Sequence, residues 1–217
     1  MDTSVIEALP WCADLSLNSA NIWTVQQGRC AIGVVLLVES SASVALIRKA
    51  RVKGYEFSDR LALPGGLVRG VCGPAFAPCF EQSIRARAEE EAGLTAEQLS
   101  ELVIVAPEFA PVSRYTVKCV ERFTAVFTVR ANIKRPQPLV SADKSIQEAF
   151  FSPLPPKWEV LAPANRLILA RAMRDHADDN VKTAARASVN EALAFCNDAA
   201  AIVNVPPVPD PWMSPEV

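Results

Sequence analysis

The residues best suited to chemistry in this chain are three consecutive carboxylates, Glu89, Glu90 and Glu91, downstream of the loop LPGG at 63–66. The pattern around them predicts a helix that ends at Gly93. Carboxylates in a last helical turn oppose the helix dipole, at about 0.3–1 kcal/mol each. A divalent cation would offset this cost, because hard cations bind carboxylate and carbonyl oxygens. A solvated run of surface glutamates is the alternative interpretation.

The sequence around these carboxylates resembles the Nudix hydrolase superfamily. LPGG at 63–66 and EEAGL at 90–94 are similar to the two ends of the Nudix box, G-x5-E-x7-R-E-U-x-E-E-x-G-U, where U is apolar. The segment DRLALPGGLV resembles the entry to the box in the ADP-ribose pyrophosphatase-like branch. A basic pair, Arg48 and Lys49, ends the preceding predicted strand, as it does in the family. The resemblance extends over about residues 28–178.

The box departs from the family pattern in its spacing and in its charged residues. Gly66 and Gly93 stand 27 residues apart, against 21 in the family, so we predict an insertion within 69–78. Counted back from Gly93, the place of the first helix glutamate is taken by Arg87. Counted forward from Gly66, the first glutamate of the box becomes Cys72. The box is therefore degenerate.

Two interpretations of the helix end follow. The resemblance implies that Mg²⁺ or Mn²⁺ is held by Glu90 and Glu91, with the carbonyl of Gly66 as a third ligand. The residues themselves suggest another outcome, since Arg87 precedes Glu90 by three positions and Glu91 by four. These spacings place all three side chains on one helix face. Arg87 could then occupy the place of the cation and inactivate the box.

The candidate site residues fall into three sets. The candidate catalytic residues are Arg87, Glu89, Glu90 and Glu91. The candidate metal ligands are Glu81, Glu90, Glu91 and Gly66. The candidate substrate contacts are Arg48, Gly65, Gly66 and Leu67. For Arg48, Glu81 and Glu89 a plain surface charge remains the alternative.

Three more charged residues have supporting roles in this hypothesis. Arg85 could orient Glu89, which lies four positions further along the helix. Glu108 or Glu121 could serve as a base, with a surface carboxylate as the alternative.

The elements that must position these residues are strands, a helix, more strands and then helices. The runs CAIGVVLLVES and SVALIRKA predict a hairpin of two strands. Phe80, Ile84 and Ala88 recur at helical spacing and predict a helix over 80–92. Further strands are predicted in LVIVAPEFAPV, YTVKCVERFTAVFTV and 146–151, and helices from 164 and over 182–203. This order predicts an α/β (α+β) sandwich, and the resemblance implies the Nudix-type α/β/α form with a mixed sheet.

The chain divides by pattern into three parts. Residues 1–28 predict an irregular arm with at most one short strand, pinned to the body by Trp11 and Trp23. Residues 29–178 are predicted to form the Nudix-like domain. Residues 179–217 predict a C-terminal helical extension, which covers the core or forms a homodimer face, and a proline-rich tail, which is disordered or binds a partner.

Composition limits the class of protein. Half of the 217 residues are hydrophobic and the formal net charge is −2, which predicts a packed domain without the basic surface of a nucleic-acid-binding protein. No apolar run approaches the length of about 20 residues that spans a membrane. The first residues are acidic and lack the apolar region of a secretory signal, so we expect a cytoplasmic protein.

The cysteines and the single histidine narrow the site chemistry. Six cysteines at irregular spacings predict reduced thiols, with a structural or redox role for Cys72 and Cys79 as the alternative. With His176 alone, a histidine-based metal cluster is excluded.

Two functions remain open at this stage. The first is a metal-dependent pyrophosphohydrolase acting on a nucleoside diphosphate linked to another group, such as ADP-ribose-like compounds or dinucleotides. The second is a degenerate Nudix domain that binds a nucleotide or a protein partner without hydrolysis. A metal-free activity on the same fold, such as an isomerase, is a third and weaker possibility.

Overall fold

The computed structural model describes residues 1–40, 42–95, 97–99, 101–133 and 137–213. Its strands are β1 Ser16–Leu17, β2 Trp23–Val25, β3 Cys30–Ser40, β4 Ser43–Lys49, β5 Leu61–Ala62, β6 Gly65–Leu67, β7 Val103–Ile104, β8 Val112–Val117, β9 Val120–Asn132 and β10 Ile146–Pro153. Its helices are α1 Ser4–Glu7, α2 Phe76–Ala92, α3 Pro163–Met173, α4 Asp179–Ala187 and α5 Val189–Val203. Short 3₁₀ helices span Pro10–Cys12 and Trp158–Val160.

The strands form one mixed sheet with β3 at its centre. β3 pairs in parallel with β9 along almost its whole length. On its other side β3 meets three strands in turn, β2 at its start, β6 in its middle and β4 at its end. Helix α2 packs on one face, α3 and α4 pack on the other, and α5 contributes to both. The predicted α/β/α sandwich with a mixed sheet is confirmed.

The predicted hairpin of β3 and β4 is present, but its two strands soon separate. They pair only as Glu39 with Val44 and Ser40 with Ser43. Beyond these pairs, β6 lies beside β3 and β5 lies beside β4. Leu63-Pro64 connects β5 to β6. The sheet is thus divided into two half-sheets, with a gap between them.

Helix α2 begins four residues before the predicted start, at Phe76. The prediction placed Pro78 in the preceding loop, but a proline is accepted in a first helical turn, where its missing N–H has no intrahelical partner. The apolar face is as predicted, with Phe80, Ile84 and Ala88 fully buried. Gly93 ends the helix in the left-handed conformation, with φ 66°.

The predicted strand YTVKCVERFTAVFTV is instead a hairpin of β8 and β9. Lys118 and Cys119 form its turn, and both have positive φ, 49° and 63°. Such turns usually carry glycine or asparagine, so the residue types concealed this one. Of the predicted strand LVIVAPEFAPV, Val103–Ile104 forms β7 and Val112 begins β8. The prolines between them cannot donate to a strand ladder.

The two terminal regions pack on this core. Trp11 stacks on Phe127 with ring centroids 5.7 Å apart, and Trp23 is buried, so the predicted anchoring of the N-terminal arm is confirmed. The arm contains α1, β1 and β2 and is more regular than predicted. Within the predicted insertion, Gly70 N–H donates to the carbonyl of Asn21, which places this loop beside the arm.

The C-terminal extension covers both faces of the sheet at the β8 edge. The predicted helix over 182–203 is two helices, α4 and α5, which meet at Ser188. Ala192 and Cys196 of α5 pack with α3, whereas Ala199 and Val203 pack in the core cluster that contains α2. The predicted core-covering role is therefore confirmed.

The proline-rich tail is extended and docked as far as the structure describes it. The side chain of Asn197 exchanges two hydrogen bonds with the backbone of Val208, which is buried. Residues 214–217 of the predicted tail lie outside the described residues.

Two further findings concern the cysteines and the helix lengths. All six cysteines are free; Cys79 is buried, and Cys72 is exposed and contacts Gln82. Among the described residues, no helix has the length and apolar character needed to cross a membrane.

The buried face of α2 gives a first prediction. Ile84→Ala should lower the free energy of unfolding by about 2–5 kcal/mol, because it removes fully buried methyl groups and leaves a cavity. Urea denaturation measures the change. The matched control is Ile202→Ala on α5, where the side chain is 42% exposed and the change should stay within about 0.5 kcal/mol. Equal effects would contradict this packing of α2.

Candidate functional site

The carboxylate of Glu91 lies at the junction of α2, β4 and β6. Glu91 is only 2% exposed. Its Oε2 accepts a hydrogen bond from the Gly65 backbone N–H at 2.8 Å, and its Oε1 accepts one from the Lys49 ammonium group at 3.0 Å. Both oxygens of this buried carboxylate are thus engaged by donors of the protein.

Gly65 has a steric reason to be glycine. A Cβ atom there would overlap the carbonyl oxygen of Val34 on the neighbouring strand β3. The missing side chain lets β6 approach β3 closely while the Gly65 N–H reaches Glu91. The Pro-Gly-Gly loop is therefore fitted to this junction.

The guanidinium group of Arg87 lies among the other carboxylates. Its Nη1 is 3.2 Å from Glu90, 3.7 Å from Asp143 and 4.0 Å from Glu91. The group also covers Gly66, where a Cβ atom would lie 2.8 Å from the Arg87 Nε. The prediction that Arg87 pairs with both Glu90 and Glu91 is confirmed.

Asp143 is a member of this cluster that sequence reasoning missed. Its backbone N–H donates to the carbonyl of Glu90, which joins the loop before β10 to the end of α2. Burial raises the pKa of Asp143, but hydrogen bonds from Ser145 and the charges of Lys49 and Arg87 outweigh it and leave the pKa below its usual value. No sequence signal links Asp143 to a helix more than fifty residues earlier.

The predicted metal ligands do not form a single site. Glu81 precedes Glu90 by nine positions, which is about 13.5 Å along a helix. Glu81 is instead paired with Arg85 at 2.8 Å. Gly66 lies beside the cluster, but the Arg87 side chain covers it.

The groups that do lie together do not fit Mg²⁺ or Mn²⁺. The ammonium group of Lys49 and the guanidinium group of Arg87 already pair with the carboxylates around them and occupy the space between them. Among the described residues, no three His, Cys, Asp or Glu side chains are arranged to hold a metal ion.

The other candidates lie outside this cluster. Arg85 does not orient Glu89 as predicted, because it pairs with Glu81 one turn earlier, and Glu89 is exposed. Arg48 is 3.6 Å from both Asp59 and Glu148. The two predicted bases are in ion pairs, Glu108 with Arg171 and Glu121 with Arg114.

A cavity of about 220 Å³ lies in the gap between the half-sheets. The predicted substrate contacts Gly65, Gly66 and Leu67 form part of its wall. Its described lining includes no residue of the predicted insertion 69–78. The charged residues of that lining are Lys49 and Arg60, and both are cations. The cavity therefore favours anions.

Three aromatic rings form one side of this cavity. Tyr55, Phe57 and Tyr115 contact one another with ring centroids 6.0–6.2 Å apart, and the Tyr115 hydroxyl lies 3.3 Å from the Thr124 hydroxyl. Burial, with smaller contributions from Tyr115 and Glu91, raises the pKa of Tyr55 to about 12. The sequence did not predict this cluster because residues 51–60 are mostly polar. The two aromatic residues in that segment, Tyr55 and Phe57, were the pattern that could have indicated it.

Comparison with known proteins identifies structural relatives. No protein-family model matches the chain, and no curated protein matches it. Similar solved structures include a C. elegans Ap4A hydrolase, at 15% identity over 71% of this chain and 90% of that chain, with a TM-score of 0.39. The M. smegmatis Nudix hydrolase RenU is 22% identical over 70% of this chain and 86% of its own, with a TM-score of 0.42.

A third similar structure is a bifunctional NMN adenylyltransferase/ADP ribose pyrophosphatase from Francisella tularensis, complexed with AMP and a Mn ion. It is 18% identical over 67% of this chain and 42% of that chain, with a TM-score of 0.46. The function is argued below from the residues of this chain.

The Glu91 junction gives a second prediction. Glu91→Gln should lower the free energy of unfolding by about 3 kcal/mol, because Lys49 loses the buried carboxylate that neutralises it. Glu90→Gln is the control, since Glu90 is 55% exposed and its pair should contribute less than about 1 kcal/mol. Thermal and urea unfolding without added metal measure both. Equal small losses would show that Glu91 is not a structural anchor.

A third prediction concerns Tyr55. Its raised pKa means that the neutral phenol persists to higher pH than a free tyrosine, and half-ionisation is expected at about pH 12. The chain has two tyrosines, so the near-ultraviolet absorbance of tyrosinate can resolve the ionisation of Tyr55 from that of Tyr115. Tyr55→Phe should remove the ionisation at the higher pH. If that ionisation persists in the variant, its assignment to Tyr55 is wrong.

Proposed function

We propose that this chain binds a nucleotide-type small molecule in the cavity between the half-sheets and does not hydrolyse it by a metal-dependent route. One observation carries the proposal, namely that the Arg87 guanidinium lies among Glu90, Glu91 and Asp143. A metal ion there would have to displace a cation that is covalently part of the helix. The geometry thus favours the second function considered above, a degenerate Nudix domain that binds its ligand without hydrolysing it.

The charges of the cavity support an anionic ligand. Lys49 and Arg60 line it, and Lys49 uses one of its three N–H donors on Glu91. The remaining donors of the ammonium group are available to phosphate oxygens. Arg60 donates to the carbonyl of Glu159, which holds its guanidinium at the cavity.

The aromatic side of the cavity supports a nucleobase. The rings of Tyr55, Phe57 and Tyr115 offer faces on which a planar heterocycle can stack. A volume of about 220 Å³ is below the usual range of about 300–1,000 Å³ for whole ligands. We therefore expect that only part of the ligand is enclosed. Because the sequence resembles the ADP-ribose pyrophosphatase-like branch, AMP and ADP-ribose are the first probes.

A fourth prediction tests binding and turnover together. AMP or ADP-ribose should bind in calorimetry, and neither ADP-ribose, NADH, nucleotide sugars nor nucleoside triphosphates should be hydrolysed with Mg²⁺ or Mn²⁺. Arg60→Met should weaken binding about tenfold, because a hydrogen bond to a charged group contributes about 1.5–3 kcal/mol. Arg51→Met is the matched control, since Arg51 is exposed and does not line the cavity.

The metal part of the proposal has its own measurement. Electron paramagnetic resonance should show free Mn²⁺ in the presence of the wild-type protein, and bound Mn²⁺ with Arg87→Glu, which replaces the internal cation by a carboxylate. Metal-dependent turnover by the wild type that is lost in Glu91→Gln would contradict the proposal and support the hydrolase. Absence of nucleotide binding would also contradict it.

A further inference from the structure

A second cavity, of about 550 Å³, lies at the far end of α3. The start of α3 borders the first cavity through Asn165, and its end borders the second through Arg171. An 11-residue helix spans about 16 Å, and the described linings of the two cavities share no residue. The second cavity is thus a separate space with a volume typical of small-molecule sites.

The lining of this cavity combines an apolar part with cationic groups. The apolar part includes Leu37, Phe109 and Ile168. The charged and titratable members of the lining are Arg130, Arg171, Arg174, Asp175 and His176. Three guanidinium groups against one carboxylate favour an anion, and the apolar part favours an organic one.

Arg171 is the cation of this lining that contacts the apolar part of the cavity. Its guanidinium carbon lies 4.7 Å from the ring centre of Phe109, and its ion-pair partner, Glu108, is 3.6 Å away with a side chain that is 62% exposed. Burial lowers the pKa of Arg171, and the charge of Glu108 opposes this shift. An anion in the cavity could take the place of the exposed Glu108 beside this guanidinium.

Two uncharged donors are near this charge. The Thr128 side chain is only 5% exposed and lines the cavity, and its hydroxyl has no hydrogen-bond partner among the described residues. A buried polar group without a partner is destabilising, and a bound ligand that pairs with it can remove that cost. His176 Nδ1 accepts from the Asp178 N–H at 3.0 Å, so its neutral ring carries the proton on Nε2 as a donor.

The carboxylates near the cavity leave room for a ligand. Glu39 is held by Arg130 at 2.9 Å and neutralises that guanidinium. Asp175, paired with Arg174, is exposed and can turn into solvent. Arg171 and Arg174 therefore remain open to an external anion, and Arg171 is the one that lies against Phe109.

We propose that this cavity binds a small organic anion, whose phosphate or carboxylate group is held by Arg171 with Thr128 and His176, and whose apolar part packs on Phe109 and Ile168. The proposal is independent of the first cavity and of its nucleotide. The enclosed volume admits a ligand with one ring and one anionic group, so simple aromatic anions are suitable probes.

The experiment uses phenyl phosphate, benzoate and inorganic phosphate as probes of the full chain in calorimetric titrations. Saturable binding of phenyl phosphate or benzoate is expected, and the stronger of the two identifies the preferred anionic group. Inorganic phosphate should bind more weakly because it has no apolar part. Arg171→Met should weaken the preferred probe at least about tenfold, or about 1.4 kcal/mol. The control Arg186→Met removes an exposed arginine of α4 that does not line the cavity and should bind normally.

A second variant keeps the test valid if Arg171→Met fails to fold. Thr128→Val should leave the melting temperature unchanged or higher, since its hydroxyl has no partner to lose, yet it should weaken binding of the probe. If Thr128 had only a structural role, the variant would not weaken binding of the probe while it keeps the melting temperature. Absence of saturable binding by both aromatic anions would overturn the proposal. Unchanged affinity in Arg171→Met and Thr128→Val, or loss confined to Arg60→Met, would overturn it too.

Discussion

The buried carboxylate of Glu91 is the constraint on which the rest of this site depends. One oxygen binds the Gly65 N–H and the other binds Lys49, so a single side chain joins the end of α2 to β6 and β4. Because a buried charge is costly without partners, these three elements must keep their relative positions. The same junction fixes the gap between the half-sheets, whose wall includes Lys49 and Gly65.

The carboxylates around Glu91 have counter-ions that belong to the chain itself. Lys49 and Arg87 supply two positive charges to the three carboxylates of Glu90, Glu91 and Asp143. In a pyrophosphohydrolase a metal ion would hold this position and also contact the phosphates. Here the internal cations stabilise the helix end, and Lys49 and Arg60 are the charged residues in the described lining of the cavity.

Two separate cavities lie on one face of the sheet. Strand β9 contributes Thr124 and Val126 to the first cavity and Thr128 and Arg130 to the second. These residues alternate along the strand and so point to the same side. Helix α3 packs over the strand between the two cavities and separates an aromatic, cationic cavity from one lined by arginines and Phe109.

The sequence by itself determined the sandwich and the apolar face of α2, because these depend on the periodicity of hydrophobic residues. It also determined the pairing of Arg87 with Glu90 and Glu91, because that depends on spacings within one helix. The hairpin at Lys118–Cys119 escaped prediction because its turn lacks glycine and asparagine. Only the tertiary structure brought Asp143 to Arg87, Lys49 to Glu91, and Tyr115 to Tyr55. These contacts join segments far apart in the chain, and no local pattern encodes which of many charged or aromatic residues meet once the strands pair.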